Sequence, residues 1–155
     1  TIAVTTTDSN GLYTFNNVTS SQDYYIKIST STLPSTSTRG VSSMDQTKIG
    51  RHLVGLETFS SVYKKIAADV NWSGGISSMD QTKIGRFIVG IETSPISGVW
   101  QFYSSDTTPT TTVSDSNYYR TVSTARFLNN PSTNQSNQDF TAIKMGDVNG
   151  SWTNP

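Results

Sequence analysis

Oxygen-bearing side chains occur at alternate positions through the first part of the segment DVNWSGGISSMD, which covers residues 69–80. This spacing is typical of a twelve-residue loop that wraps a calcium ion, because calcium takes six to eight oxygen ligands at about 2.3–2.6 Å. Gly74 stands at the sixth position, where such a loop turns sharply and favours glycine. The predicted ligands are Asp69, Asn71, Ser73, the backbone carbonyl of Gly75, Ser77 and Asp80.

The alternative interpretation of this segment is an Asx turn, because Asp and Asn also form such turns ahead of helices. We favour calcium because the glycine and the closing carboxylate both stand at the required positions. Only two of the predicted ligands carry charge, so we expect an affinity nearer the extracellular range of ~10⁻⁴–10⁻³ M than that of a cytosolic sensor.

A long repeat contains the second half of this loop. The sequence GVSSMDQTKIGRHLVGLET (40–58) recurs as GISSMDQTKIGRFIVGIET (75–93), and 15 of 19 positions are identical. From Met44 and Met79 onward, apolar residues recur at helical spacing, so each copy predicts a helix. A serine at 42 or 43, and at 77 or 78, can cap these helices. The predicted buried positions are Ile49, Leu53, Leu56, Ile84, Ile88 and Ile91.

The first repeat lacks the front half of a calcium loop. Counting back from Asp45, the corresponding positions hold Pro34, Thr36, Thr38 and, in place of glycine, Arg39. Near the C-terminus, however, DVNGS (147–151) matches DVNWS (69–73) at four of five positions. We therefore predict a split calcium site, completed within one chain or by a neighbouring chain. Its ligands would be Asp147, Asn149, Ser151, Gly40, Ser42 and Asp45. The alternative is a polar turn that ends a strand.

The rest of the chain divides around the repeat. Residues 1–33 predict strands with an Asn-Gly turn, and residues 34–98 hold the tandem repeat with a short helix over SSVYKKIAADV. Residues 99–155 predict the strands VWQFYSS and FTAIKMG, a polar turn-rich segment between them, and the half loop. The expected fold class is α+β, with a small antiparallel sheet or sandwich built from both chain ends and packed against the helix pair.

A calcium loop that runs into a helix, in two copies, resembles the type I dockerin repeat over roughly residues 34–98. The preceding TTTDSNGLYTFNNVTSSQDYYIKIS resembles the last strands of a CnaB-like or carboxypeptidase-regulatory-like sandwich of bacterial surface proteins. The dockerin resemblance implies calcium-dependent folding and protein docking without catalysis. The positions that match dockerin recognition residues are Ser43, Met44, Arg51, Ser78, Met79 and Arg86.

Composition excludes several other functions. The formal net charge is zero and 14% of residues are charged, so no basic surface for nucleic acid is expected. The apolar stretches are too short to span a bilayer.

The chain contains no cysteine, and bound calcium can replace disulfides in a protein outside the cell. His52 is the single histidine, and Glu57 and Glu92 are equivalent repeat positions, which favours architecture over catalysis.

The leading hypothesis is a non-enzymatic calcium-binding module, extracellular or on a bacterial cell surface, that holds two ions and mediates docking or assembly. Its partner would be a cohesin-like domain or copies of itself. The alternative is a structural subunit of an extracellular filament, sheath or adhesin stalk, assembled by strand complementation and calcium. Carbohydrate binding is a third hypothesis, because Trp72, Trp100 and Trp152 could stack on sugars, although covering the metal loops is the favoured role for Trp72 and Trp152.

Overall fold

A computed structural model of the chain describes residues 3–29, 40–92, 100–105 and 124–152. This part of the chain contains three helices and four strands, in agreement with the general α+β expectation. The helices are α1 (Ser43–Leu53), α2 (Val62–Ala68) and α3 (Ser78–Ile88), and the strands are β1 (Tyr24–Lys27), β2 (Trp100–Ser104), β3 (Ala125–Leu128) and β4 (Phe140–Lys144).

The two repeat helices begin in the same way. Ser42 caps α1 by accepting the Met44 N–H at 3.3 Å, and the Asp45 carboxylate reaches back to the Ser42 N–H at 2.9 Å. Ser77 and Asp80 form the same reciprocal capping box on α3. Of the two serines offered by each copy, the first is therefore the N-cap. A capping box satisfies N–H groups that the first helical turn leaves without partners.

The ends of these helices correct one expectation. Ile49 and Ile84 are fully buried as predicted, but Leu53, Leu56 and Ile91 are 39%, 70% and 67% exposed. The helices stop at Leu53 and Ile88, and a glycine two residues later adopts a left-handed conformation that turns the chain away. The helical periodicity in the sequence therefore continues beyond the helices themselves.

Helices α1 and α3 pack against each other through reciprocal contacts. A Cβ at Gly50, late in α1, would lie 2.5 Å from the amide nitrogen of Gln81, early in α3. A Cβ at Gly85 would lie 2.5 Å from the amide nitrogen of Gln46 in the same way. Because the late part of each helix meets the early part of the other, the pair is antiparallel and related by an approximate two-fold axis.

The hydrophobic core joins this helix pair to α2 and to the segment after β4. The Gly146 N–H donates to the Ala67 carbonyl at 2.8 Å, which holds the chain leaving β4 beside the end of α2. The large apolar side chains that are almost fully buried are Ile49, Phe59, Ile66, Val70, Ile84, Met145 and Val148.

The strands form two separate two-stranded sheets rather than the single sheet or sandwich that the sequence suggests. β1 pairs antiparallel with β3, with Tyr24 opposite Leu128, and β2 pairs antiparallel with β4, with Trp100 opposite Lys144. β3 lies within the segment that the sequence predicts to be polar and turn-rich. The Asn-Gly turn forms, but the described residues 3–23 contain no strand, so the predicted hairpin is wrong there. None of the described helices is long and apolar enough to cross a membrane.

Candidate calcium loops

The contiguous loop connects α2 to α3 and places a buried carboxylate at each end. Asp69 directly follows α2 and is 2% exposed, and Asp80 in the first turn of α3 is fully buried. The Asp69 carboxylate accepts the N–H groups of Ser73 at 3.0 Å and Gly74 at 2.8 Å. Asp80 accepts the Asn71 N–H at 3.2 Å on one oxygen. Its other oxygen accepts from both the N–H and the hydroxyl of the Ser77 cap at 2.9 Å.

The remaining oxygens of this loop face the same space. The Asn71 side-chain oxygen accepts the Ser73 N–H at 2.8 Å. The Ser73 hydroxyl donates to the Gly75 carbonyl at 3.0 Å and lies 3.4 Å from an Asp69 carboxylate oxygen. Oxygens from the first, fifth and seventh positions therefore converge.

The C-terminal segment folds back onto the first repeat within the same chain. The Asn149 N–H donates to Oδ1 of Asp45 at 3.1 Å, and the Ser151 hydroxyl donates to the Gly40 carbonyl at 3.3 Å. Asp147 accepts the Ser151 N–H at 2.9 Å and the Trp152 N–H at 2.8 Å. Asp45, which closes this second loop, is fully buried. The structure thus brings together the six residues that the sequence assigned to a split site.

The two loops share a hydrogen-bond pattern position by position. Seven hydrogen bonds of the contiguous loop have an equivalent in the split loop, and the paired lengths differ by no more than 0.3 Å. These bonds include the turn around the first Asp, the contact between the fifth and seventh positions, and the capping box. A break in the chain between the sixth and seventh positions therefore preserves this hydrogen-bond pattern.

The break in the chain changes which loop position requires glycine, from the sixth position in the contiguous loop to the seventh in the split loop. In the contiguous loop Gly74, at the sixth position, has a φ of +84°, whereas in the split loop the backbone N–H of Trp152 fills that position. The left-handed glycine is instead Gly40 at the seventh position, with a φ of +77°. A Cβ at Gly40 would lie 2.6 Å from the Trp152 Cβ and 2.9 Å from an Asp147 carboxylate oxygen. Glycine is needed at residue 40 so that the C-terminal segment can approach.

Each loop contains two carboxylates and no other acidic side chain. Accordingly, the described residues contain no group of three or more His, Cys, Asp or Glu side chains that could hold a metal. Burial raises the pKa of Asp80, while the hydrogen bonds from Ser77 and from the Asn71 backbone act to lower that pKa. The upstream positions 34, 36, 38 and 39 of the first repeat lie outside the described residues.

The residues that match dockerin recognition positions lie on the outer surface of the helix pair. Met44 and Met79 are 55% and 56% exposed, and the neighbouring Ser43 and Ser78 are exposed as well. The Arg51 and Arg86 side chains are also about half exposed, and each places Nε 3.4 Å from a glutamate at the end of its own repeat. The approximate two-fold axis relates the two sets of three, so the structure offers two equivalent exposed surfaces.

Sequence reasoning missed the aromatic contact that accompanies the split loop. The Trp152 ring packs edge-on against Trp100 of β2, with 4.7 Å between ring centroids and 83° between the planes. Trp72, the tryptophan of the contiguous loop, is 47% exposed. An alignment of DVNGSW with DVNWSG already places Trp152 opposite Gly74, but nothing in the sequence pairs it with Trp100.

Comparison of the chain with protein-family models, with curated proteins and with solved structures finds no match in any of the three. The dockerin resemblance therefore stays a prediction from the motifs.

Proposed function

We propose that this chain is a non-enzymatic calcium-binding module, extracellular or on a bacterial cell surface, which mediates protein docking or assembly. One ion would be held by the contiguous loop and one by the split loop. The observation that carries the proposal is the equivalence of seven hydrogen bonds between the loops. Two loops of different connectivity share an arrangement that suits a common ligand.

The donor sets fit calcium in number and type. Each loop offers carboxylate, amide, hydroxyl and backbone carbonyl oxygens, which are the hard ligands that calcium prefers over nitrogen or sulfur. Neighbouring oxygens on an ion at about 2.4 Å lie about 3 Å apart. The Ser73 hydroxyl and Gly75 carbonyl are separated by 3.0 Å, and the Ser151 hydroxyl and Gly40 carbonyl by 3.3 Å.

The two buried carboxylates of each loop also support a divalent cation. Burying a charged carboxylate is unfavourable unless hydrogen bonds and an opposite charge compensate it. In both loops backbone N–H groups occupy one side of the carboxylates. A calcium ion on the other side would balance two negative charges with two positive ones. An Asx turn ahead of a helix would not require a segment from the far end of the chain.

Isothermal titration calorimetry tests the proposal with a matched pair of variants. The wild-type protein is expected to bind two calcium ions. Asp147→Ala removes the first ligand of the split loop, and Asp69→Ala removes its equivalent in the contiguous loop. Each variant is expected to bind one ion. A wild-type protein that binds no calcium, or an Asp147→Ala variant that still binds two ions, would contradict the proposal.

The proposed docking surface consists of Ser43, Met44, Arg51, Ser78, Met79 and Arg86. Exposed methionine suits a partner surface because its side chain is apolar and adapts to irregular shapes. The partner would be a cohesin-like domain or a second copy of this chain. Light scattering coupled to size-exclusion chromatography separates these cases. If the wild-type protein dimerises in calcium and the Met44→Asp and Met79→Asp variants do not, the partner is a second copy of this chain. If the wild-type protein is a monomer in calcium, the partner is a different protein.

A structural subunit remains the second candidate because both described sheets have only two strands, and such sheets are rarely stable alone. Tyr25 and Phe127 form an aromatic pair on the outside of the β1–β3 sheet and are 69% and 47% exposed. A strand donated by another chain could extend this sheet. In that case the protein is expected to elute as polymers at high concentration, and chelation should dissociate them if calcium supports the assembly.

A further inference from the structure

A cleft of about 350 Å³ lies beside the split loop, between α2, the β2–β4 sheet and the C-terminal segment. The indole rings of Trp100 and Trp152 line it, and Ile143 and Val148 contribute apolar surface. This volume lies at the lower end of the range for small-ligand sites, which are mainly apolar with a few well-placed polar groups. The cleft is therefore large enough for about one sugar ring.

The charged groups of the cleft favour an anion. Lys64 and Lys144 both line it, and the Lys144 Nζ lies 5.7 Å from the centre of the Trp100 ring. Asp147 is the acidic residue of the lining, but its two oxygens accept the N–H groups of Ser151 and Trp152 within the loop. Burial lowers the pKa of Lys144, the Asp147 carboxylate acts to raise that pKa, and a bound anion would likewise favour the charged form of this side chain.

Neutral hydrogen-bonding groups also line the cleft. Ser61 at the start of α2, Thr141 of β4 and Asn149 of the split loop contribute hydroxyl and amide groups. A ligand that satisfies all of these features needs a flat apolar face, a negative charge and several hydroxyl groups. A pyranose ring with a carboxylate has this combination, because its C–H face can lie on an indole while its polar groups point to the rim.

We propose that this cleft binds a hexuronate residue of an acidic polysaccharide, and that the cleft forms only when the C-terminal segment is fastened to α1 by the split calcium site. Five residues of the lining belong to that segment: Asp147, Val148, Asn149, Gly150 and Trp152. The inference rests on the proposed calcium function. Calcium and uronate binding are then coupled, and each ligand raises the affinity for the other.

Tryptophan fluorescence and NMR titration with digalacturonate test the inference. This short probe is preferable to a long polymer, whose many carboxylates would themselves bind calcium. With saturating calcium, digalacturonate is expected to bind at least tenfold more tightly than the neutral galactose disaccharide. Lys144→Met and Trp100→Ala are expected to weaken binding at least tenfold. Lys27→Met removes the same charge from exposed β1, outside the cleft, and is expected to change binding less than twofold.

The calcium dependence is tested separately with a matched pair that does not line the cleft. Asp45→Asn disables the split loop and is expected to abolish digalacturonate binding, as chelation should, whereas Asp80→Asn in the contiguous loop should preserve it. NMR spectra of each variant report whether it is folded. Uronate binding that is unaffected by Asp45→Asn would overturn the coupling. The proposed uronate site would be wrong if both disaccharides bind equally, or if N-acetylphenylalanine, an aromatic carboxylate without hydroxyl groups, binds more tightly than digalacturonate. It would also be wrong if digalacturonate does not bind while calorimetry shows two calcium ions. In each case the calcium proposal would still stand.

Discussion

The backbone N–H of Asn149 donates to Oδ1 of Asp45 at 3.1 Å, although 104 residues separate the two in sequence. The equivalent bond from Asn71 to Asp80 is 3.2 Å long and spans nine residues. The same local arrangement is thus built once by a continuous loop and once by tertiary structure. In the split loop, hydrogen bonds from the C-terminal segment to Asp45 and to the Gly40 carbonyl join the two halves in place of a covalent connection.

Gly40→Ala tests whether the close approach of the C-terminal segment matters. The new methyl group would meet Trp152 at 2.6 Å and Asp147 at 2.9 Å, and residue 40 also has a positive φ. The left-handed conformation costs about 1–2 kcal/mol for alanine, and the steric conflict is expected to add about 1–3 kcal/mol. Calorimetry is expected to show loss of the split-site ion, with the contiguous site retained.

Gly55→Ala is the matched control for this variant. Gly55 has nearly the same φ, +75°, but no atom lies within 4 Å of the position of a new Cβ. Chemical denaturation should therefore show only the conformational part of the destabilisation, and the variant should still bind two ions. Equal loss of calcium binding in both variants would mean that backbone strain, rather than contact with the C-terminal segment, determines the result.

Much of the helical region could be predicted because its signals are local. The capping serines and the apolar spacing lie within a few residues of the helices that they specify, and Ile49 and Ile84 are buried as expected. The juxtaposition in the split loop was also predictable, because the half loop near the C-terminus matches the intact one. Sequence identity between distant segments here supplied the non-local information that local patterns lack.

The sheets could not be predicted in the same way. A strand pattern identifies β1, β2 and β4, but it does not say which strands pair, and β3 pairs with a strand about 100 residues earlier. The four residues of β3 give too short a signal within a polar segment to stand out. Leu56 shows the opposite problem, because the apolar spacing continues past the left-handed Gly55 that ends the helix.

Val148→Ala and Val70→Ala test whether the two loops depend on different parts of the core. Both valines occupy the second loop position and are almost fully buried. Each substitution removes two buried methyl groups, and we expect a loss of about 2 kcal/mol in the free energy of unfolding in calcium. Calorimetry should also show that Val148→Ala lowers the calcium affinity of the split site alone. Val70→Ala should lower the calcium affinity of the contiguous site alone. The opposite assignment, or an equal effect on both ions, would contradict the independence of the loops.

His52→Phe makes the first repeat more like the second, yet we expect it to destabilise the protein. His52 stacks on Phe59 with 4.3 Å between ring centroids, and its Nδ1 accepts the Phe59 N–H at 3.2 Å. Phenylalanine can keep the stacking but cannot accept the hydrogen bond. A buried N–H without a partner costs about 1–3 kcal/mol. Thermal unfolding should detect the change, and an unchanged or higher midpoint would show that the hydrogen bond contributes nothing.

Because the contacts between α1 and α3 are reciprocal, equivalent substitutions in the two helices are expected to change stability equally. Gly50→Ala and Gly85→Ala each introduce a methyl group 2.5 Å from the amide end of a glutamine, Gln81 or Gln46. A flexible side chain can move aside, while alanine favours a helix over glycine by about 1 kcal/mol. Because the two contacts are equivalent, both variants should change the free energy of unfolding by the same amount, within about 0.5 kcal/mol.

Removing the glutamine separates the two contributions. In a Gln81→Ala background, Gly50→Ala is expected to stabilise the protein by about 1 kcal/mol in urea denaturation, because only the helix propensity remains. The same gain is expected for Gly85→Ala in a Gln46→Ala background. If the double variants are instead destabilised by more than about 1 kcal/mol, the helices approach too closely for any side chain at these positions, and the glycines rather than the glutamines set their separation.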